Sequence, residues 1–383
     1  MNPRDATIAL NMIPGIGPIR VNQLLSVLGS PEHILSADQA TLRRVAGIGE
    51  DLAQRITGWR DAGDLDEEKQ RAERAGVTIV TRQDPDYPTA LNELRDPPLC
   101  LYVRGRLQAL STMNHAIAVV GSRRTTRYGV RMAKHLAGGA AFAGWTIVSG
   151  LARGIDSIAH QATLDANACT VAVLGSGLGR VYPQENLDLA RQIVEAEGAL
   201  VSEFPMMFPP DKRTFPMRNR IIAGMTRGTV VVEAGLKSGS LITANLALDQ
   251  GRQVFAVPGP VDSPQSRGCH QLIKDGATLA ETFADVAEGL TLLFPGLPRE
   301  PVAHSRSQPQ IEPSAQATPE LEGIQRKVFD WIGGGEASVD ELIAGVQEPP
   351  AQVLSAVVQL EMKRLVRQLP GKRVCRTENA QPA

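Results

Sequence analysis

Disulfides, zinc and membrane are the first things this sequence sets aside. Its four cysteines, Cys100, Cys169, Cys269 and Cys375, lie far apart and form no C-x-x-C pair. That spacing argues against a disulfide framework and against a zinc site, and favours a reducing compartment. Charge of one sign is missing as well. A formal net charge of −1 gives no global pull toward nucleic acid, so any such binding must come from local patches. No segment reaches the ~18–20 apolar residues that a membrane span needs. The first residues, MNPRDATIALNMIPGIG, include acidic and polar residues and lack the sustained apolar run of a signal peptide. A cytoplasmic protein with no membrane partner is the expectation. Cofactor and catalytic signatures are absent too. There is no G-x-x-x-x-G-K-[ST], which excludes a P-loop NTPase, and no G-x-G-x-x-G followed by an acidic strand end. No Ser-His-Asp or metal-ligand spacing occurs, so no catalytic residue, cofactor or metal is expected.

What is present divides the 383 residues into parts, and two or three domains are expected at this length. Residues 1–70 read as short helices. IPGIGPIRVNQLL at 13–25 and VAGIGEDLAQRI at 45–56 each run hydrophobe, Gly-x-Gly, amphipathic helix. This is the look of a helix-hairpin-helix, whose turn can offer backbone N–H groups to a DNA phosphate. The same glycines, Gly15, Gly17, Gly47 and Gly49, serve equally as plain tight turns between packed helices. Residues 71–292 alternate strands with helices of 10–15 residues, the pattern of right-handed βαβ units and a doubly wound parallel sheet covered on both faces. Residues 293–319 shift to Pro, Ser and Gln, a linker. Residues 320–383 recover helical periodicity and end in LVRQLPGKRVCR, a hairpin turning at Pro370-Gly371. Three helices followed by a hairpin are the order of a winged helix-turn-helix.

The stretch 214–244 concentrates the chemistry. Arg218 and Arg220 bracket Asn219 just after Phe215, and the β-branched run Thr229–Val232 then leads to Lys237-Ser238-Gly239-Ser240 at a helix start. In an open α/β sheet, ligands bind at that edge, beyond the carboxyl ends of strands and at helix N-termini. Gly121-Ser122-Arg123-Arg124 and Gly175-Ser176-Gly177 follow other strands in the same way. Ser122, Arg123, Lys212, Arg213, Phe215, Arg218, Asn219, Arg220, Lys237 and Ser238 are therefore the candidate ligand residues. The arginines and lysines would hold phosphates, and Phe215 would stack a base. Arg131, Lys134 and Arg227 read better as solvated helix face. Glu233 at a strand end, Glu203, and the i, i+4 pair Asp156 and His160 are carboxylates and an imidazole that an enzyme could use. Each can equally cap a helix or pair with an arginine.

Taken together these residues resemble the DNA-processing protein A family (DprA, also called Smf). The resemblance spans nearly the whole chain and is densest from Ala118 to Ala277. It is carried by VVGSR at 119–123, SGLARGID at 149–156, YPQEN at 182–186, FPMRNRIIAG at 215–224, VVEAGLKSGSLITA at 231–244 and GRQVFAVPG at 251–259. Met225-Thr226 stands where the family often has Leu-Ser. The resemblance implies a SAM-like N-terminal helical domain, an extended Rossmann-type core and, in some members, a winged-helix domain. It also implies single-stranded DNA binding, loading of the RecA recombinase during natural transformation and recombination, and a homodimer formed through the core. Arg123, Phe215, Arg218, Asn219 and Arg220 would form the family's DNA pocket. Lys363, Arg364, Arg367, Lys372, Arg373 and Arg376 leave the winged helix open to duplex DNA or to a protein.

Two other readings compete. A nucleotide-processing Rossmann-like enzyme of phosphoribohydrolase type would use Glu233, but it would carry a Pro-Gly-Gly-x-Gly-Thr turn. Here Gly235-Leu-Lys-Ser-Gly-Ser follows instead. A protein-recruiting scaffold would bind no oligonucleotide through its core.

Overall fold

β-Branched runs and the glycines that end them set out the sheet. The computed structural model describes residues 1–111, 115–293, 323–332, 336–346, 348–362, 365–369 and 373–376. Nine strands form one sheet: β1 (Val77–Thr81), β2 (Cys100–Gly105), β3 (Ala116–Val120), β4 (Thr146–Ser149), β5 (Thr170–Leu174), β6 (Ala199–Ser202), β7 (Gly228–Val231), β8 (Gln253–Ala256) and β9 (Thr278–Leu279). Their order is β1-β2-β6-β5-β4-β3-β7-β8-β9. From β6 to β9 every neighbouring pair is parallel. At the other edge β2 pairs antiparallel with both β6 and β1, an extension that strand–helix alternation did not announce. The order reverses between β3 and β7, the topological switch point of a doubly wound sheet.

Alternation along each strand divides the core in two. Ile117 and Val119 of β3 join Leu136, Ala140 and Ile155 from the helices Arg127–Phe142 and Ile155–Asp165 on one face. Ala118 and Val120 join Ile221, Ile222 and Ala244 from Thr214–Gly224 and Gly239–Asp249 on the other. The N-terminal helices continue one cover. Ile8, Leu24, Ile34 and Leu42 share a cluster with Tyr102, Leu174 and Leu200 of β2, β5 and β6. Polar ties reinforce it: Asn11 Nδ2 donates to Glu203 O at 3.0 Å, and Met206 N donates to the buried Glu68 carboxylate at 2.6 Å. Within those helices Gly15 and Gly47 sit at φ 84° and 83°, a left-handed conformation that needs glycine, and Gly17 and Gly49 then cap the next helices.

Contacts divide the chain into units Met1–His304 and Ser305–Ala383. Nearly all of the expected linker, and the turn at Pro370-Gly371, lie outside the described residues. In the second unit the helices Gly323–Ile332, Val339–Val346 and Pro350–Met362 pack around Phe329, Leu342, Val353 and Leu360. The terminal hairpin, Val366–Leu369 with Arg373–Arg376, gains a third strand, Glu336–Ser338, through Ala337 opposite Val374. Three residues are too short a run to stand out in sequence. Arg376 lies 4.0 Å over the Phe329 ring and donates to Phe329 O, so it belongs to the packing of this unit. Lys363, Arg364 and Lys372 lie outside the described residues.

Candidate nucleic-acid interface

A cleft opens over the carboxyl ends of β3, β4 and β5. It is lined by Arg123, Gly150, Ala152, Arg153, Tyr182, Pro183, Phe215 and Arg218. The empty space between these residues, open solvent included, is about 330 Å³.

Glycines let its walls meet. A Cβ on Gly154, at φ 79°, would lie 2.2 Å from Ser122 O, and Ile155 N donates to that same oxygen at 3.2 Å. The turns after β3 and β4 thus lock together. Ser122 Oγ accepts from Arg124 N at 3.1 Å, a tight turn that leaves Arg123 exposed. Ser122 is consequently a builder of the turn, with its hydroxyl and carbonyl both engaged. The Arg123 guanidinium carbon lies 5.2 Å from the Phe215 ring centroid, and the Tyr182 ring lies 5.7 Å away at 38°. Phe215 itself sits where Gly175 has no side chain; a Cβ there would be 2.9 Å from Phe215 Cδ1.

The floor is Arg218. It is 4 % exposed and donates through Nη1 to Val173 O. It reaches the cleft across Gly150, where a Cβ would lie 2.1 Å from Nη1. Burial lowers its pKa to about 10, with Asp156 opposing the fall, so it stays charged at neutral pH. Asp156 accepts from Gly150 N at 3.1 Å and Ala152 N at 3.4 Å. Burial raises its pKa against the pull of Arg218 and those two N–H groups. His160, fully buried beneath, has its Nδ1 2.7 Å from Thr170 Oγ1. Burial first, then Arg218, pushes its pKa down to about 3. The pair Asp156 and His160, read in sequence as possible catalysts, therefore supports the floor.

The remaining candidates separate. Arg220 is a correction. Its side chain is 7 % exposed, donates to Glu203 through Nη2 and pairs with Asp96 through Nε at 3.0 Å. It is held by two carboxylates and lines no part of the cleft, while its buried Nη1 has no hydrogen-bond partner among the described residues. Arg213 is exposed and held by Asp211 at 2.9 Å; Lys212 is exposed beside it, and Asn219 is half-buried. Lys237 and Ser238 follow β7, across the switch point, and line no part of the cleft. Ser238 instead caps the Gly239–Asp249 helix. Glu233 fills the switch point. Its carboxylate accepts from Thr125 Oγ1 at 2.8 Å, Thr126 N at 2.9 Å and Thr126 Oγ1 at 2.6 Å. Thr126 is the N-cap of the Arg127–Phe142 helix, so a carboxylate of the chain itself stands where such folds place a dinucleotide phosphate.

Tyr182, Arg153 and Gly150 belong to the cleft without having been assigned to it from sequence. All three fall in motifs directly after strands or their turns, YPQEN and SGLARGID, and that position was the available signal. Among the described residues no group of three or more His, Cys, Asp or Glu can hold a metal, and no helix is long and apolar enough to cross a membrane. A cleft with an exposed cation over one aromatic face, a second aromatic beside it and a buried cation beneath can hold a planar ring against Phe215 and an anion near Arg123.

Residues 78–291 match the family model described as DNA recombination-mediator protein A. Residues 312–372 match the DprA winged helix domain, and 8–57 match a SAM-like helix-hairpin-helix tandem. Protein Smf of Escherichia coli K12 is 41% identical over 293 residues, 76% of either chain. The X-ray structure of DNA processing protein A from Streptococcus pneumoniae superposes with a TM-score of 0.65 at 33% identity, covering 74% of this chain and 97% of that one. A DNA processing protein A structure from Helicobacter pylori, described for its single-stranded DNA binding mode, gives a TM-score of 0.51 at 30% identity over 57% of this chain and 98% of that one.

Proposed function

The chain belongs to the DNA recombination-mediator protein A family, and from that premise we propose that it binds single-stranded DNA in the Arg123–Phe215 cleft, without catalysis. The observation that carries the reading is Arg123 over Phe215 with Tyr182 alongside, a stacking platform joined to a phosphate cation. Stacking accepts every base, so binding is tolerant of sequence. The single-stranded DNA binding mode described for the Helicobacter pylori relative supports it. We assign no catalysis to Glu233 because both its oxygens already accept hydrogen bonds from Thr125 and Thr126.

The proposal extends to a cytoplasmic homodimer that protects incoming strands and hands them to a RecA-type recombinase during transformation and recombination. Leu236, Ile242 and Leu248 are exposed on and beside the Gly239–Asp249 helix, an apolar surface suited to a second copy. In the winged-helix unit, Pro350–Met362 carries no Lys or Arg, which favours a protein over duplex DNA there. The test is fluorescence anisotropy of the full chain with single- and double-stranded oligonucleotides across a salt series. Strong single-strand preference is expected, and Arg123→Ala should flatten the log–log salt slope by about 0.7, the loss of one phosphate contact to a single strand. Equal affinity for both forms, or base release from nucleoside monophosphates, would overturn it.

A further inference from the structure

Arg153 is the cleft's second surface cation, and it is already occupied. Its guanidinium donates through Nε and Nη2 to the two carboxylate oxygens of Glu185, the Nη2 bond at 2.6 Å. The two side chains are 57 % and 51 % exposed. Glu185 belongs to the short turn Gln184–Asn186, directly after the cleft residues Tyr182 and Pro183. The hydrogen bond from Arg153 holds its carboxyl below the usual carboxylate range, so it is ionised at neutral pH. The cleft mouth thus carries a fixed anion that faces any incoming phosphate, paired with the cation that would receive it.

We propose that Glu185 is a gate, and that a strand enters by taking Arg153 over from the carboxylate. The inference rests on the reading of the cleft as a DNA site and names the feature that selects its ligand. An exposed ion pair is screened by water and salt and contributes little, while a phosphate offers the guanidinium the same bidentate geometry. The pair is therefore strong enough to hold Arg153 in position and weak enough to be exchanged. A nucleoside or free base has no anion with which to displace Glu185, whereas a phosphodiester strand anchored at Arg123 and Phe215 brings one. The exchange leaves the backbone in place. Asn186 Nδ2 donates to Leu151 O at 2.9 Å, tying the same two loops without the ion pair.

The gate is tested with the full chain, fluorescein-labelled oligothymidylate and a salt series, comparing wild type, Glu185→Gln, Arg153→Ala and the double variant. Matched thermal melts show that each is folded. Glu185→Gln should bind more tightly, with a log–log salt slope steeper by about 0.7, one phosphate contact on a single strand. If the two lines meet near about 1 M salt, that slope is a gain of roughly eightfold at about 50 mM. In the Arg153→Ala background Glu185→Gln should gain nothing, because there is no held cation left to release, so the double variant should fall below Glu185→Gln by the same slope of about 0.7. Unchanged affinity in Glu185→Gln, or an equal gain in both backgrounds, overturns the gate while leaving the cleft standing; the second outcome makes Glu185 a charge acting through space. No strand binding by wild type, or binding that Arg123→Ala and Phe215→Ala leave intact, overturns the cleft reading and the gate with it.

Discussion

The helix Thr214–Gly224 has two faces that use the same residue type for different purposes. Arg218 and Arg220 are 4 % and 5 % exposed, yet Arg218 floors the cleft and Arg220 closes an ion pair with Glu203 and Asp96. At 3.6 residues per turn, positions two apart point about 200° apart, whereas Phe215 and Arg218, three apart, share a face. An Arg-Asn-Arg run on a helix cannot offer both cations to one ligand. One face lines the cleft, and the other fastens the helix to the end of β6.

The sharpest way to test that division is Arg220→Ala. Glu203 is 8 % exposed, and burial raises its carboxyl pKa against the opposing effect of Arg220. Removing the arginine strands that carboxylate, and breaking a buried pair from one side costs about 3–5 kcal/mol. Urea unfolding should show a loss of that size, while the folded fraction still binds single-stranded oligonucleotide like wild type. A variant that keeps its stability but loses the strand would put Arg220 back on the binding face.

The cleft face has its own dependence on a buried group. Thr170 Oγ1 donates to Ile147 O at 2.8 Å, so it accepts from His160 Nδ1–H, and the imidazole is neutral. Its folded pKa of about 3 lies below the ordinary value of 6.5. As pH falls below about 6.5 the unfolded chain takes up a proton that the folded chain refuses. Stability is lost by about 1.36 kcal/mol per pH unit, until the folded pKa is reached. The stability difference between wild type and His160→Gln should therefore shift by about 2 kcal/mol against wild type between pH 7 and pH 5. Parallel stability–pH curves for the two proteins would show that this imidazole charges in the folded state.

The same two faces explain what was legible beforehand. β-Branched runs such as Thr229–Val232 and the helices between them were readable, because local sequence dictates hydrophobic period. Glycines after strands located the ligand edge, and Arg123, Phe215 and Arg218 do meet there. Strand order was not readable. It places β7 on the far side of β3 from β4 and β5, which removes Lys237 and Ser238 from the cleft and brings in Tyr182 from the turn after β5. The burial of Arg220 was half-legible, since helical spacing separates it from Arg218, but its partners Glu203 and Asp96 come from distant segments. Glu233 likewise shows its role only once Thr125 and Thr126 are beside it.

On the cleft face, Phe215→Ala should weaken single-stranded oligonucleotide binding by about 1–3 kcal/mol, the range for one lost base stack. The same variant leaves the salt slope nearly unchanged, because Arg123 remains to meet the phosphate. A change in slope equal to that of Arg123→Ala would mean that the ring serves only to hold the guanidinium 5.2 Å above it.

Tyr182 makes the finest distinction. The residue is 40 % exposed and its ring lies 5.7 Å from Phe215 at 38°, a tilted contact. Such aromatic pairs contribute about 0.5–1.5 kcal/mol beyond the area they bury. If Tyr182 acts only through that contact, Tyr182→Ala should cost at most this much in strand affinity, and nothing once Phe215 is already alanine. If Tyr182 stacks a base of its own, the two losses should add and the double variant should fall by the sum. Anisotropy titrations of the two single variants and the double decide between one stacking position and two.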